Sequence, residues 1–400
     1  MKTVAIISEY NPFHLGHEYQ IRKIREEFGS DTRIIAVMSG NYTQRGDVAI
    51  MDKSIRAEMA VRCGVNLVLE LPFPFSLSSA EFFAKSGVAI ADSLGVVDLL
   101  SFGSESGDTE ALTDAAKVFS SKEYCDALHS LISSEENLGY PMLCELAYKK
   151  VTGNSDIKNL FTPNNILAIE YIKALTLYNS KIKPHTIWRF GSDYNSDSIC
   201  ENGFQSATAI RKLMHQDLNS ALHYIPKSAH ITLLDNKDTY PCNSEKLSSA
   251  IISYFRLNSP SEEVIHDTAG GLYNRLQNAS FEASTISNLI EIADTKKFTT
   301  ARIRRAIWYS FFGVTSSKIL EKPAYTQVLA MDSIGKDILK ETKKVASICV
   351  LTKPSADSKL SDEAKRQKQL SDKADSVFHL TKPCFVSGAQ TLKTTPFIMK

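Results

Sequence analysis

A chain of 400 residues, 43% hydrophobic and 23% charged with a formal net charge of +1, has the composition of an ordinary globular protein and length for two or three domains. This excludes a disordered polyelectrolyte, and no apolar run is long enough to cross a bilayer. Seven scattered cysteines without a Cys-x-x-Cys pair, and an N-terminus that enters a strand directly, make a cytoplasmic protein with free thiols the expectation.

The apolar run Val4-Ala5-Ile6-Ile7 is followed by Asn11-Pro12-Phe13-His14-Leu15-Gly16-His17 and then by an amphipathic stretch from Glu18 to Phe28. This order predicts strand, tight turn and helix. His14 and His17 share one face of the first helical turn, and Gly16 between them leaves room for a ligand against the backbone. The helix start adds unpaired N–H groups and the positive end of a dipole, so an anion is favoured there twice over. Two other readings of the tetrapeptide stand beside this one, a surface turn and a pair of zinc ligands. The zinc reading lacks a nearby cysteine or further histidine, and no glutamate separates the two imidazoles.

Arg33 to Met38 reads as a second strand opening into the loop Ser39 to Gly46, and Asp52 is placed to cap a helix that stops at Gly64. Asn66 to Leu71 is a third strand ended by Pro72, residues 78–93 are helical, and Val96 to Gly103 is a fourth strand. Continuous apolar strands alternating with helices predict a parallel sheet covered on both faces, with ligands beyond the carboxyl ends of its strands. The turn at His14, the Ser39 to Gly46 loop and the loop Phe102-Gly103-Ser104-Glu105 should therefore meet around one pocket. Residues from about 108 to 160 read as a helical insertion. Thr162-Pro163-Asn164-Asn165 opens a helix running to Leu177, and a strand from His185 to Phe190 ends at Gly191. In Gln205 to Lys212, Ser206 can cap a helix with Arg211 and Lys212 one turn inside, which suits a pyrophosphate or a plain capped helix.

Beyond about residue 240 the strand and helix alternation fades into mainly helical segments. Residues 296–305 hold Lys296, Lys297, Arg302, Arg304 and Arg305 with no acid. Hydroxyls and Phe298 in the same stretch suit a phosphodiester backbone, while a solvated surface face is the alternative. Residues 353–373 have few apolar side chains and read as a mobile surface segment. Two domains follow, 1–235 and 236–400.

The stretches Ile7-Ser8-Glu9-Tyr10-Asn11-Pro12-Phe13-His14-Leu15-Gly16-His17, Met38 to Gly46, Glu70-Leu71-Pro72, Ser101 to Glu105, Pro163 to Leu167 and Ser206-Ala207-Thr208-Ala209-Ile210-Arg211 run in one order across residues 1 to about 215. In that order they resemble the bacterial tRNA(Met) cytidine acetate ligases. Arg302 to Arg305 and Tyr325 to Leu329 extend the likeness more loosely, with Gln327 standing where a basic residue is expected. The resemblance implies a Rossmann-like sheet of the nucleotidylyltransferase type with a helical insertion, followed by a mainly helical tRNA-binding domain. It implies activation of acetate by ATP to acetyl-adenylate and transfer of the acetyl group to N4 of the wobble cytidine of elongator tRNA(Met).

The same resemblance implies ATP contacts from Ile7 through His17 and on to Glu18, Tyr19 and Gln20, and from Gly103, Asn164 or Asn165, Arg189, Ser206, Thr208 and Arg211. His14, His17 and Lys53 are the implied catalytic groups, and Lys296, Lys297, Arg302, Arg304 and Arg305 the implied grip on the anticodon stem. Magnesium is expected with the triphosphate, held mainly by phosphate oxygens and water, so that no particular protein ligand is predicted. No membrane and no stable protein partner are expected. Two other functions use the same fold: a small-molecule nucleotidylyltransferase, which leaves the helical half unexplained, and a non-catalytic RNA-binding scaffold, which leaves the retained histidines, Ser206, Thr208 and Arg211 unexplained.

Overall fold

The computed structural model describes residues 1–134, 138–154, 160–189, 205–259, 264–317, 319–354, 358 and 360–400. In chain order its elements begin β1 (Thr3–Ser8), α1 (Leu15–Phe28), β2 (Arg33–Ser39), α2 (Lys53–Arg62), β3 (Leu67–Leu71), α3 (Ala80–Ser93) and β4 (Leu99–Ser104). The insertion is α4 (Thr109–Phe119), α5 (Lys122–Ser134) and α6 (Tyr140–Thr152), followed by α7 (Pro163–Leu177) and β5 (Lys183–Trp188). Then come α8 (Ala207–Gln216), α9 (Leu218–Leu222), α10 (Lys227–Asp235), α11 (Ser248–Leu257), α12 (Leu272–Ser280), α13 (Ile286–Ala293) and α14 (Thr300–Phe312). The chain closes with β6 (Tyr325–Met331), α15 (Ser333–Val345), β7 (Cys349–Leu351), α16 (Asp362–Phe378) and β8 (Phe397–Ile398). The expected end of β5 at Phe190 and Gly191 lies outside the described residues.

The sheet order is β5-β4-β1-β2-β3-β6-β7, with β8 paired to β6. The first five strands are mutually parallel. The parallel α/β expectation therefore holds, and its reason is visible in β1 to β3, whose side chains are buried almost without interruption. Strand order reverses at β1, between β4 and β2, which is where an open α/β sheet leaves a crevice for a ligand.

The mainly helical second half is present as expected, but it does not stand apart from the sheet, because β6 returns to pair antiparallel with β3 and carries β7 and β8 with it. Tyr325-Thr326-Gln327-Val328-Leu329 is strand β6, and a boundary at residue 235 divides the helices but not the sheet. The segment 353–373 is also not a mobile surface from residue 362 onward: Asp362–Phe378 is helix, capped by Ser361. Its inward stripe, Ala364, Gln367, Lys368, Ser371, Ala374, Asp375 and Phe378, has helical spacing but is mostly polar. A hydropathy reading cannot see a face that is buried through ion pairs.

One such pair anchors that face. Lys53 Nζ lies 2.6 Å from Glu70 Oε1 and 2.5 Å from Asp375 Oδ2, and Asn41 Nδ2 donates to Asp375 Oδ1 at 2.8 Å. Burial pushes the Lys53 ammonium down, but Asp375 and Glu70 outweigh it and hold its pKa above the usual lysine range. Burial likewise raises the Glu70 carboxyl, opposed by Lys53. Lys53→Met should destabilise the fold by about 3–5 kcal/mol, because Glu70 and Asp375 would stay buried without their cation. Urea denaturation midpoints would show the loss.

Candidate active site

The turn after β1 is built before any ligand arrives. Tyr10 takes a left-handed backbone conformation (φ 44°), which a non-glycine residue adopts only when its surroundings hold it. Its ring is 1% exposed and packs 4.8 Å from both Phe13 and His17. Asn11 Oδ1 accepts from Ile50 N at 2.8 Å, and Arg211 Nη1 donates to Asn11 O at 2.9 Å, so the turn is braced from both sides. Arg56, with no exposed surface, donates to the main-chain oxygens of Glu9, Ser39, Gly40 and Met51. It thus ties the carboxyl ends of β1 and β2 together.

His14 caps α1 with a ring nitrogen in place of the usual hydroxyl or carboxylate. Its Nδ1 accepts from Gly16 N at 3.0 Å, and His17 Nδ1 accepts from His14 N at 3.2 Å. A nitrogen that accepts from a main-chain N–H carries no proton, so both imidazoles are neutral and protonated at Nε2. Burial, reinforced by Arg189 and Arg211, pushes His14 down to about 3, and burial with His14 and Arg189 holds His17 well below its ordinary value. The two rings stack with centroids 3.7 Å apart. Each therefore offers one Nε2–H donor. The space above Gly16 is filled by the His14 ring, since a Cβ there would stand 2.9 Å from His14 Cε1. The bare Gly16 thus makes room for the capping ring, while its backbone borders the pocket at the β1/β4 crevice.

This arrangement predicts an acid weakness. Below pH about 6.5 the unfolded chain takes up a proton at residue 14 that the folded chain refuses until pH is near 3. Stability contributed by the neutral imidazole is thus lost progressively as pH falls across that window, with a slope of up to about 1.4 kcal/mol per pH unit. Urea titrations at several pH values should show a shallower slope in His14→Asn.

A pocket of about 290 Å³ opens at the β1/β4 crevice. Of the expected ATP contacts it is lined by Ile7, Ser8, Glu9, Tyr10, Asn11, His14, Gly16, His17, Tyr19, Gln20, Gly103, Asn164, Arg189, Ser206, Thr208 and Arg211. Pro12, Phe13, Leu15 and Glu18 do not line it; Phe13 is fully buried core. Asn165 does not either: its buried Oδ1 accepts from Glu105 N and Ser106 N, at 2.9 and 3.3 Å, and so shapes the loop after β4. Lys53 lies in a separate small cavity with Asp375 and His379, so the catalytic role expected for it finds no support in its position.

Ser206 Oγ accepts from Ala209 N at 3.1 Å and caps α8, whose N–H groups and Arg211 face the same space as the histidines. Arg211 Nη2 donates to Thr208 Oγ1 at 3.1 Å. A Cβ at Gly103 would stand 2.9 Å from Arg189 Cγ, so the glycine lets the Arg189 side chain lie across β4. Reading the sequence missed the apolar wall of Phe83, Leu167 and Tyr171, together with Trp188 and the buried amide of Gln205. Helical spacing marks such side chains as core, and only the fold shows which of them border the cavity.

The run 296–305 is not a free cationic face. Arg304 Nη1 grips both carboxylate oxygens of Asp47 at 2.8 and 2.9 Å, on the loop that lines the pocket. Arg302 and Arg305 both pair with Asp267, and Arg305 is only 7% exposed. Lys296 and Lys297 remain on the surface, with Lys297 Nζ donating to Gly270 O. The acids that neutralise the arginines lie far away in sequence, so the run alone could not reveal them.

The profile of the HIGH Nucleotidyl Transferase family matches residues 1–391. A tRNA(Met) cytidine acetate ligase of Thermoanaerobacter sp. (strain X514) is 37% identical over 363 residues, 89% of each chain. The chain belongs to the tRNA(Met) cytidine acetate ligase family. Another member, from Acetivibrio thermocellus, is 35% identical over 387 residues, 92% of each chain. A crystal structure of Thermotoga maritima TmcAL bound with alpha-thio ATP superposes with a TM-score of 0.89 at 30% identity, covering 100% of both chains. The family likeness thus spans both the sheet and the helical half.

Proposed function

We propose that this protein activates acetate with ATP, releasing pyrophosphate, and passes the acetyl group from acetyl-adenylate to N4 of the wobble cytidine of elongator tRNA(Met). The observation that carries this reading is the convergence of the two Nε2–H donors, the α8 N-terminus with Arg211, and Gly103 with Arg189 on one pocket of a chain in this family. Attack of the acetate carboxylate on the α-phosphorus builds charge on phosphate oxygens. Catalysis of such a step is largely positioning and electrostatic stabilisation.

In this reading His14 and His17 donate to oxygens of the reacting phosphate. Neutral donors aimed from a fixed cap need no reorganisation as charge develops. Ser206, Thr208, Arg211 and the exposed N–H groups of α8 hold the departing pyrophosphate, and Arg189 neutralises charge beside Gly103. Magnesium, which would enter with the triphosphate, spreads charge over the phosphate oxygens. Among the described residues no three His, Cys, Asp or Glu side chains stand together as a ligand set. Among them, too, no helix is long and apolar enough to cross a membrane.

The first step is tested by pyrophosphate exchange into ATP, which should require acetate and proceed without tRNA. Exchange that ignores acetate would contradict the reading. For the RNA, the exposed Lys296 and Lys297 are the cations of the 296–305 run with least commitment to carboxylates. Replacing both by alanine should weaken tRNA binding and reduce the slope of log K against log salt by about 1.5–2. Arg305→Ala should instead lower thermal stability, because it leaves Asp267 with one partner fewer.

A further inference from the structure

Acetyl transfer to a cytidine needs a base that adenylation does not. The exocyclic N4 amine is a poor nucleophile because its lone pair is delocalised into the ring. As the bond from N4 to the acyl carbon forms, N4 must give up a proton. The bond from that carbon to the phosphate oxygen breaks, and AMP leaves with the electron pair on its own oxygen. The pocket must therefore offer an acceptor facing the amine.

The pocket's basic atoms are almost all spoken for. His14 and His17 accept through Nδ1 from the main chain, which leaves only protonated Nε2 atoms turned outward. Glu105 is consumed at the start of α7: Oε1 accepts from Asn164 Nδ2 at 2.6 Å, and Oε2 from Thr162 Oγ1 and Asn165 N at 2.8 and 2.9 Å. Asp47 gives both oxygens to Arg304. Glu9 differs. Its Oε1 accepts from Gln44 N at 2.7 Å, and its Oε2 has no donor among the described residues.

The position of Glu9 is also fixed. Its carbonyl is gripped by the buried Arg56, the next residue is held left-handed, and Gln44 N steadies the side chain. Glu9 lines the same pocket as the buried Tyr171, whose phenol is raised by burial and further by the charge of Glu9. Tyr171 and Phe102, with ring centroids 5.7 Å apart, belong to the apolar wall of the same pocket. A carboxylate oxygen and aromatic rings lining one pocket are a setting in which a cytosine ring can be held by stacking and its amine by an acceptor.

We infer that Glu9 is the residue that receives the acceptor cytidine, its Oε2 accepting one N4–H as a hydrogen bond and then taking the proton lost from N4 on acylation. The proton passes from Glu9 to water once AMP has left. This inference rests on the acetyl-transfer reading above. Within the stretch of expected ATP contacts it gives the Glu9 side chain a task in the second step, while its main-chain oxygen anchors the turn.

The test uses the full chain as wild type, Glu9→Gln and Glu9→Asp. Acetate-dependent pyrophosphate exchange reports adenylation, and single-turnover labelling of elongator tRNA(Met) from acetate and ATP reports transfer. Glutamine keeps an oxygen for Gln44 N but cannot take a proton. Glu9→Gln should lower the transfer rate by roughly 10²–10⁴-fold while exchange falls far less. Glu9→Asp should recover part of the transfer. Transfer by Glu9→Gln at the wild-type rate, or equal loss of exchange and transfer, would overturn the assignment of Glu9. Absence of acetate-dependent exchange in the wild type would instead overturn the underlying function, so the two failures are told apart.

Discussion

Acetate-dependent pyrophosphate exchange should fall by roughly 10²–10³-fold in both His14→Asn and His17→Asn, with each variant still folded. Asparagine makes the experiment clean. Its Oδ1 occupies the place of Nδ1 and can keep accepting from Gly16 N or His14 N, so the cap on α1 survives. What disappears is the Nε2–H donor, and with it the stabilisation of charge on the reacting phosphate. Circular dichroism and a tRNA-binding measurement on the same samples would separate lost chemistry from lost structure. A variant that keeps wild-type exchange would remove the histidines from the mechanism.

Arg56→Met should destabilise the protein by about 3 kcal/mol or more, since a buried carbonyl left without its donor costs about 1–3 kcal/mol. Four main-chain oxygens depend on this one side chain, those of Glu9, Ser39, Gly40 and Met51. Burial lowers the guanidinium to about 10, opposed by the charges of Asp52, Glu9 and Glu70, so it stays a cation at neutral pH. Lysine would not rescue it, because one ammonium cannot reproduce a planar fork directed at carbonyls at the ends of two strands and in a further loop. Chemical denaturation gives the stability directly. Weakened activity in the surviving folded fraction would follow from release of Glu9 and the turn beside it.

The part of this protein that the sequence makes legible is local. A β-branched run, a turn and a capped helix lie within residues 3–28, and the alternation that follows implies a parallel sheet with its loops meeting at one end. Spacing alone places His14, Ser206 and Arg211 at helix starts, and the structure brings them to one cavity. What spacing could not supply is the long-range electrostatics. Lys53 reads as a cation near a binding loop, yet its charge is balanced by Asp375 from α16, 322 residues later.

The arginines after Phe298 fail as a free basic face for the same reason, their partners being Asp47 and Asp267. Strand β6 escapes because seven residues amid helices carry no periodic signal of their own until β3 supplies the edge they pair with. Choosing between Asn164 and Asn165 required seeing which one faces the cavity and which supports a loop.

The central claim, that an acetyl group leaves this pocket on a tRNA cytidine, is met most directly by one measurement. The folded protein would be incubated with ATP, isotopically labelled acetate and elongator tRNA(Met), and the RNA digested to nucleosides for mass spectrometry. Label in N4-acetylcytidine from the wobble position, dependent on ATP, is the predicted result. RNA that stays unlabelled while acetate-dependent exchange proceeds, or label arriving on another nucleotide, would contradict it.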